Sequence, residues 1–151
     1  MPSFRPAGPA DLDALLPLVE AYYAEERYPF VREAARGALA GLLAEPAYGR
    51  VWVLEADDGG MVGYVVVTLG YSLEFHGRDA FIDELYILPA LRGRGLGRDA
   101  VALAEHACRE LGVRALHLEA ERRKPRLHAW YRRLGFEDHD RRLMTKRLWS
   151  P

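Results

Sequence analysis

The stretch from Leu88 to Gly97, LPALRGRGLG, constrains this chain more than any other because it joins two patterns that fold differently. Ahead of it, AFIDELYI at 80–87 is rich in the aromatic and branched side chains of a strand. Behind it, RDAVALAEHACRELG at 98–112 repeats apolar residues at helical spacing. A helix opening directly from such a turn leaves the N–H groups of its first turn without intrahelical partners, and its dipole adds partial positive charge there. Gly93, Gly95 and Gly97 let the backbone curl close to a ligand, and Arg92, Arg94 and Arg98 surround it with charge. Together they have the chemistry of a pyrophosphate cradle.

Two familiar phosphate turns fit less well. The loop of nucleotide triphosphatases needs a lysine followed by Ser or Thr, where this chain has Arg98 and Asp99. A dinucleotide-binding turn is G-x-G-x-x-G, whereas here the spacing is G-x-G-x-G and Arg98 takes the place of the final glycine. Glu119, near the end of the next strand pattern, imitates the ribose-binding acid of that fold, so a nucleotide-dependent oxidoreductase is a weakened alternative.

The remaining pattern surrounds this unit with a mixed α/β arrangement. FRPA reads as a first strand. A helix follows with Leu12, Leu15, Leu16, Val19, Tyr22 and Tyr23 on one face, and a second is expected in REAARGALAGLLAEP, ended by Pro46. Residues 49–88 read as three antiparallel strands, with ADDGG and EFHGRDA as turns. The strand RALHLEAE completes a strand, helix, strand unit, which favours a parallel pair joined by a right-handed crossover. A short helix is expected in PRLHAWYRRLGF, with Pro125 in its first turn and Gly135 as its cap, and RRLMTKRL is expected to close the chain as a strand.

Composition narrows the function classes. Half of the 151 residues are hydrophobic, enough for one domain over 1–151 without disulfides, and the single cysteine, Cys108, sits on an apolar helix face, which fits a reduced setting. With 21 basic and 22 acidic residues the formal net charge is −1, against the basic balance of a nucleic-acid binder. No apolar run approaches the ~20 residues of a membrane span. MPSFRPAGPADLD lacks the build of a signal peptide, so a cytoplasmic protein without a membrane partner is expected. The histidines show no metal-ligand spacing, and no metal is expected.

IDELYILPALRGRGLG, from Ile82, resembles the central acetyl-CoA-binding motif of the GNAT superfamily of N-acetyltransferases, R/Q-x-x-G-x-G/A, here Arg92, Gly95 and Gly97. The resemblance covers nearly the whole chain, down to the Y-x-x-x-G-F ending at Tyr131, Gly135 and Phe136. It implies a mostly antiparallel sheet of six to seven strands with a splayed parallel pair, flanked by about four helices. It implies acetyl-CoA as acyl donor, its pantetheine arm paired with the backbone of Leu85, Tyr86 and Ile87 and its pyrophosphate on the amides of Gly93, Arg94, Gly95, Leu96, Gly97 and Arg98. Lys124 stands where the family often has asparagine, and Leu127 where it has alanine, so Lys124 is expected to replace a polar contact to the donor with a charged one.

Acetyl transfer to an amine needs a base for the ammonium, a donor to the oxyanion and an acid for the departing thiolate. Glu84 is the expected base, acting through water, with Asp83 next because IDELYILP resembles the acidic strand of polyamine-type acetyltransferases. Strand alternation sends these two acids to opposite faces unless a bulge intervenes. By the resemblance, Tyr131 protonates the sulfur and members of the family commonly form homodimers. Tyr22, Glu25, Glu26 and Tyr28, in YYAEERYPF, are the expected contacts for a cationic acceptor, a small-molecule primary amine. A protein lysine or N-terminus as acceptor, and an acyl-CoA-binding module without catalysis, are the alternatives.

Overall fold

The computed structural model describes residues 1–151. They form two compact units, Met1–Leu118 and Glu119–Pro151. The first unit holds strands β1 (Ser3–Pro6), β2 (Gly49–Glu55), β3 (Met61–Ser72), β4 (Gly77–Ile87) and β5 (Ala115–His117), with helices α1 (Leu12–Glu26), α2 (Arg32–Ala44) and α3 (Leu96–Glu110). The sheet runs in chain order from β1 to β5. β1 to β4 are antiparallel neighbours, and β5 lies parallel to β4 after the α3 crossover.

Each helix takes the face that the strand periodicity leaves apolar. Adjacent residues of a strand point to opposite faces, so Val53 joins a core with Leu15, Leu18, Val19, Leu39, Tyr64, Val66 and Tyr86 on the α1 and α2 side. Leu54 and Ile87 meet Leu96 of α3 on the other. In α3 the buried residues are Leu96, Ala100, Val101, Ala104 and Cys108, one stripe along the helix. Burial pushes the Cys108 thiol up from its usual pKa, the state of an unreactive core cysteine.

β4 departs from a regular strand in two ways, and both bear on the chemistry along it. Val66 opposes Glu84 while Val67 opposes Ile82, so Asp83 is an extra residue on β4, a β-bulge. Partners across a ladder share a face, and Val66 belongs to the α1-side core. Glu84 therefore faces α1, whereas Ile82 is buried on the α3 side despite being two residues away. The second irregularity is the short partnership with β5, which spans only Asp79 to Phe81. Beyond it the β4 edge from Ile82 to Ile87 carries no further strand. Across this short ladder the Asp79 and His117 side chains approach within 3.1 Å, and the imidazole centre lies 4.8 and 4.9 Å from the rings of Phe75 and Phe81.

The second unit contains α4 (Pro125–Arg133), entered through Pro125 and closed by Gly135 at φ 97°. The sequence expectations need correction in two places. The sheet has five strands rather than six to seven, and RRLMTKRL, expected to be the closing strand, forms none. Its alternation is real, but a strand needs a ladder partner, and here Leu143, Met144, Leu148 and Trp149 are exposed. β5 is likewise three residues rather than the eight of RALHLEAE, because it pairs with β4 only until the two diverge.

Candidate active site

The glycine-rich turn takes the shape its composition allows. Pro89–Leu91 make one turn of 3-10 helix, then Gly93 and Gly95 adopt φ of 78° and 85°, values that penalise any Cβ. Gly95 caps α3, whose first regular bond runs from the Asp99 N–H to the Gly95 carbonyl at 3.0 Å. The N–H groups of Leu96, Gly97 and Arg98 precede that bond and have no partner within the helix. A Cβ built on Gly93 meets nothing within 4 Å, which leaves room for a ligand against the backbone. Arg94 and Arg98 are exposed around it. This open, positively polarised cradle fits the diphosphate of a CoA thioester.

Arg92 has a different task from its two neighbours. Its Nε donates to the Ile87 carbonyl at 2.8 Å, its two terminal nitrogens hold both oxygens of Glu25 at 2.8 Å, and the guanidinium lies 5.5 Å from the centre of the Tyr86 ring. The fork ties together the end of β4, the start of the turn and the last helical turn of α1. Thus one residue expected on the donor and one expected on the acceptor are brought together by each other.

Glu84 lies at the centre of a second group. Tyr23 of α1 donates to its Oε2 at 2.6 Å and Tyr64 of β3 donates to its Oε1 at 2.8 Å. Burial raises the Glu84 pKa above the usual carboxylate range; the two phenols oppose that shift and the neighbouring Asp83 charge adds to it. Both tyrosines are pushed well above the ordinary phenol value, by burial first and then by the carboxylate they hold. Asp83, on the bulge, has an exposed side chain whose pKa is still raised by partial desolvation. Both acids are therefore better proton acceptors at neutral pH than solvated carboxylates.

Aromatic rings surround this carboxylate on the α1 side. Tyr22 stands edge-on to Tyr23, Tyr28 and Tyr64 and tilted against Tyr86, with centroids 5.8 to 6.4 Å apart. Arg27 ends α1 in the left-handed region at φ 59°, and the turn it makes lets the Tyr28 N–H reach the Tyr23 carbonyl at 2.9 Å. That reversal brings Tyr28 and Phe30 edge-on to Tyr23, at 5.8 and 5.9 Å.

Of the expected site residues, Asp83, Glu84, Leu85, Tyr86, Ile87 and the turn from Arg92 to Arg98 follow one another along β4 and into α3, and Tyr22, Glu25, Glu26 and Tyr28 gather at the end of α1. Lys124 and Tyr131 belong to the second unit, where Lys124 caps α4 and the Tyr131 ring packs 4.9 Å from Trp130 and 5.7 Å from Phe136. The partners of Glu84 could not be picked out from the sequence. Tyr64 sits in GYVVVTL, a strand run in which an aromatic reads as core, and only the cross-strand register assigns it to the carboxylate.

This architecture has known counterparts. The profile of the Acetyltransferase (GNAT) family matches residues 13–136. A 29% identical relative over 144 residues, 93% of this chain and 89% of that protein, is the aminoglycoside N(6')-acetyltransferase type 1 of Stenotrophomonas maltophilia. The integron cassette protein HFX_CASS3, from the mobile metagenome of Cole Harbour Salt Marsh, superposes with a TM-score of 0.85 at 36% identity, over 98% of this chain and 91% of that one. The aminoglycoside N-acetyltransferase AAC(6')-Iy in complex with CoA shares the fold, with a TM-score of 0.81 at 16% identity over 99% and 96% of the two chains. The chain belongs to the GNAT family of acetyltransferases, and so to the acyltransferases.

Proposed function

We propose that this protein transfers the acetyl group of acetyl-CoA to a primary amine of a small polycationic molecule, of the aminoglycoside or polyamine kind. One observation carries the reading: a half-buried carboxylate, Glu84, held by two phenols, lies on the same strand as an unpaired backbone edge that runs directly into a diphosphate cradle. The open edge at Leu85 to Ile87 offers the amides of the pantetheine arm strand-like pairing. The amides of Gly93 to Arg98 take the diphosphate, with Arg94 and Arg98 for charge and Lys124 as a further charge contact.

An amine acceptor arrives protonated, so its nucleophilic form has to be generated in place. Glu84 is suited to this by a pKa raised through burial, with Asp83 as the second acid of the site. The amine nitrogen then attacks the thioester carbon, and a β4 amide, of Leu85 or Ile87, stabilises the oxyanion. Tyr131 is assigned the protonation of the departing sulfur on the strength of the family motif. Glu26 and the rings of Tyr22 and Tyr28 suit a cationic acceptor, whereas both Glu25 oxygens are held by Arg92, and the name of the Stenotrophomonas relative points to the same class. The donor's metabolic supply and the buried free cysteine favour a cytoplasmic setting.

The test is thiol release by the purified full chain given acetyl-CoA and a panel of aminoglycosides and polyamines. Saturable, amine-dependent release is expected, with Tyr131→Phe lowering turnover but not CoA affinity. Acetyl-CoA binding without release for any amine would leave a binding module in place of an enzyme.

A further inference from the structure

We propose that Tyr23 is a catalytic residue of the transfer, the conduit through which the acceptor amine gives its proton to Glu84. This rests on the acetyl-transfer reading and names the step by which its base is reached. Each Glu84 oxygen is capped by one phenol, Oε1 by Tyr64 and Oε2 by Tyr23. Tyr64 keeps 1% of its surface and is sealed into the core between α1 and the sheet. Tyr23 is only half-buried, and it stands at the end of α1 where Glu26 and Tyr28 lie. Of the two phenols on Glu84, Tyr23 is thus the one open at this end of α1.

The groups facing this pair are few. Glu84 is met by Tyr23 from α1, Tyr64 from β3 and Asp83 beside it on β4. Tyr23 is met by Tyr22, Tyr28 and Phe30. None of these is a cation that would stabilise a phenolate, and burial against the carboxylate holds the phenolic proton tightly. The transfer therefore proceeds as an exchange. One proton of the ammonium passes to Tyr23 Oη while the Tyr23 proton passes to Glu84 Oε2, so the phenol is neutral before and after and Glu84 becomes the acid. The amine lone pair forms the C–N bond, the C–S bond breaks with its electron pair on sulfur, and the second N–H proton released balances the one that Tyr131, as assigned above, gives the thiolate. Glu84 returns its proton to water by the same route.

Paired phenol deletions test this. Tyr23→Phe and Tyr64→Phe each remove one hydrogen bond from Glu84, so both are expected to move the acidic limb of the kcat/KM profile to higher pH. Only Tyr23→Phe removes the conduit. Its high-pH plateau should fall at least about tenfold, and by clearly more than that of Tyr64→Phe, whose loss is that of one hydrogen bond to Glu84. In a Glu84→Gln background Tyr23→Phe should add nothing, since the two act as one unit. A Tyr23→Phe plateau equal to the parent's, or effects of the two substitutions that multiply, would overturn the conduit. Full activity in Glu84→Gln alone would instead remove the base. Acetyl-CoA affinity and Tm measured on every variant separate these outcomes from a folding defect.

Discussion

The donor side and the acceptor side of this molecule are built from different materials. The donor cradle is backbone, two positive-φ glycines and the first amides of α3 within one continuous stretch. The Glu84 cluster is side chain, drawn from α1, β3 and β4 at positions 23, 64 and 84. A backbone site binds what every family member must bind, because it depends on few side-chain identities beyond glycine. A side-chain site is free to differ from one relative to the next, and it is where acceptor choice and proton handling reside.

The sharpest break between the two sides is Glu84→Gln. It should lower kcat/KM by about 10² to 10⁴ with CoA affinity unchanged, measured by thiol release and calorimetry. Its effect on stability has the opposite sense. The folded pKa of Glu84 lies above its unfolded value, so below about 4.3 the buried group carries no charge penalty. As pH rises through the folded pKa the native state loses its extra proton and stability falls. The Tm of Glu84→Gln relative to the parent should therefore improve as pH rises from about 4.3 through the folded pKa, a trend visible by scanning calorimetry.

The converse break is Gly95→Val. A branched residue at φ 85° costs about 1 to 3 kcal/mol locally and crowds the cradle. Acetyl-CoA affinity should fall at least about tenfold, with the acceptor KM at saturating donor little changed; equal losses on both sides would mean that the sites are not separate. Arg92→Lys probes the fork that joins them. Lysine cannot hold both Glu25 oxygens and the Ile87 carbonyl together, and about 1 kcal/mol of stability should be lost in denaturant titration. The smallest effect expected is a gain: Arg27→Gly removes the cost of a left-handed arginine and should add up to about 1 kcal/mol.

The same contrast explains what could be read before folding. The cradle, α3 and the meander were legible because their signals are local: glycine spacing, helical period and turn residues. Glu84 was legible as an acid next to the cradle, and a bulge was the one condition under which alternation failed. Its position was not, because a bulge is set by the register of β3 against β4. Tyr64 looks like core, and Tyr23 looks like one more apolar position of α1; their hydroxyls acquire meaning only from a carboxylate far along the chain. RRLMTKRL misled for the inverse reason, since its alternation is local but a strand is a property of two segments.

The extra residue at Asp83 is a phase slip in β4. In an unbroken strand Ile82, Glu84 and Tyr86 would all point one way, forcing either an isoleucine among the tyrosines or a carboxylate into the α3 core. The slip lets a single strand serve an apolar layer in one half and an ionisable layer in the other. What position 83 supplies to the fold is thus a count rather than a side chain. Asp83→Ala should fold with nearly the parent's circular dichroism and Tm, and deleting the residue, which makes Ile82 and Glu84 regular neighbours opposite Val67 and Val66, should keep both on their present faces.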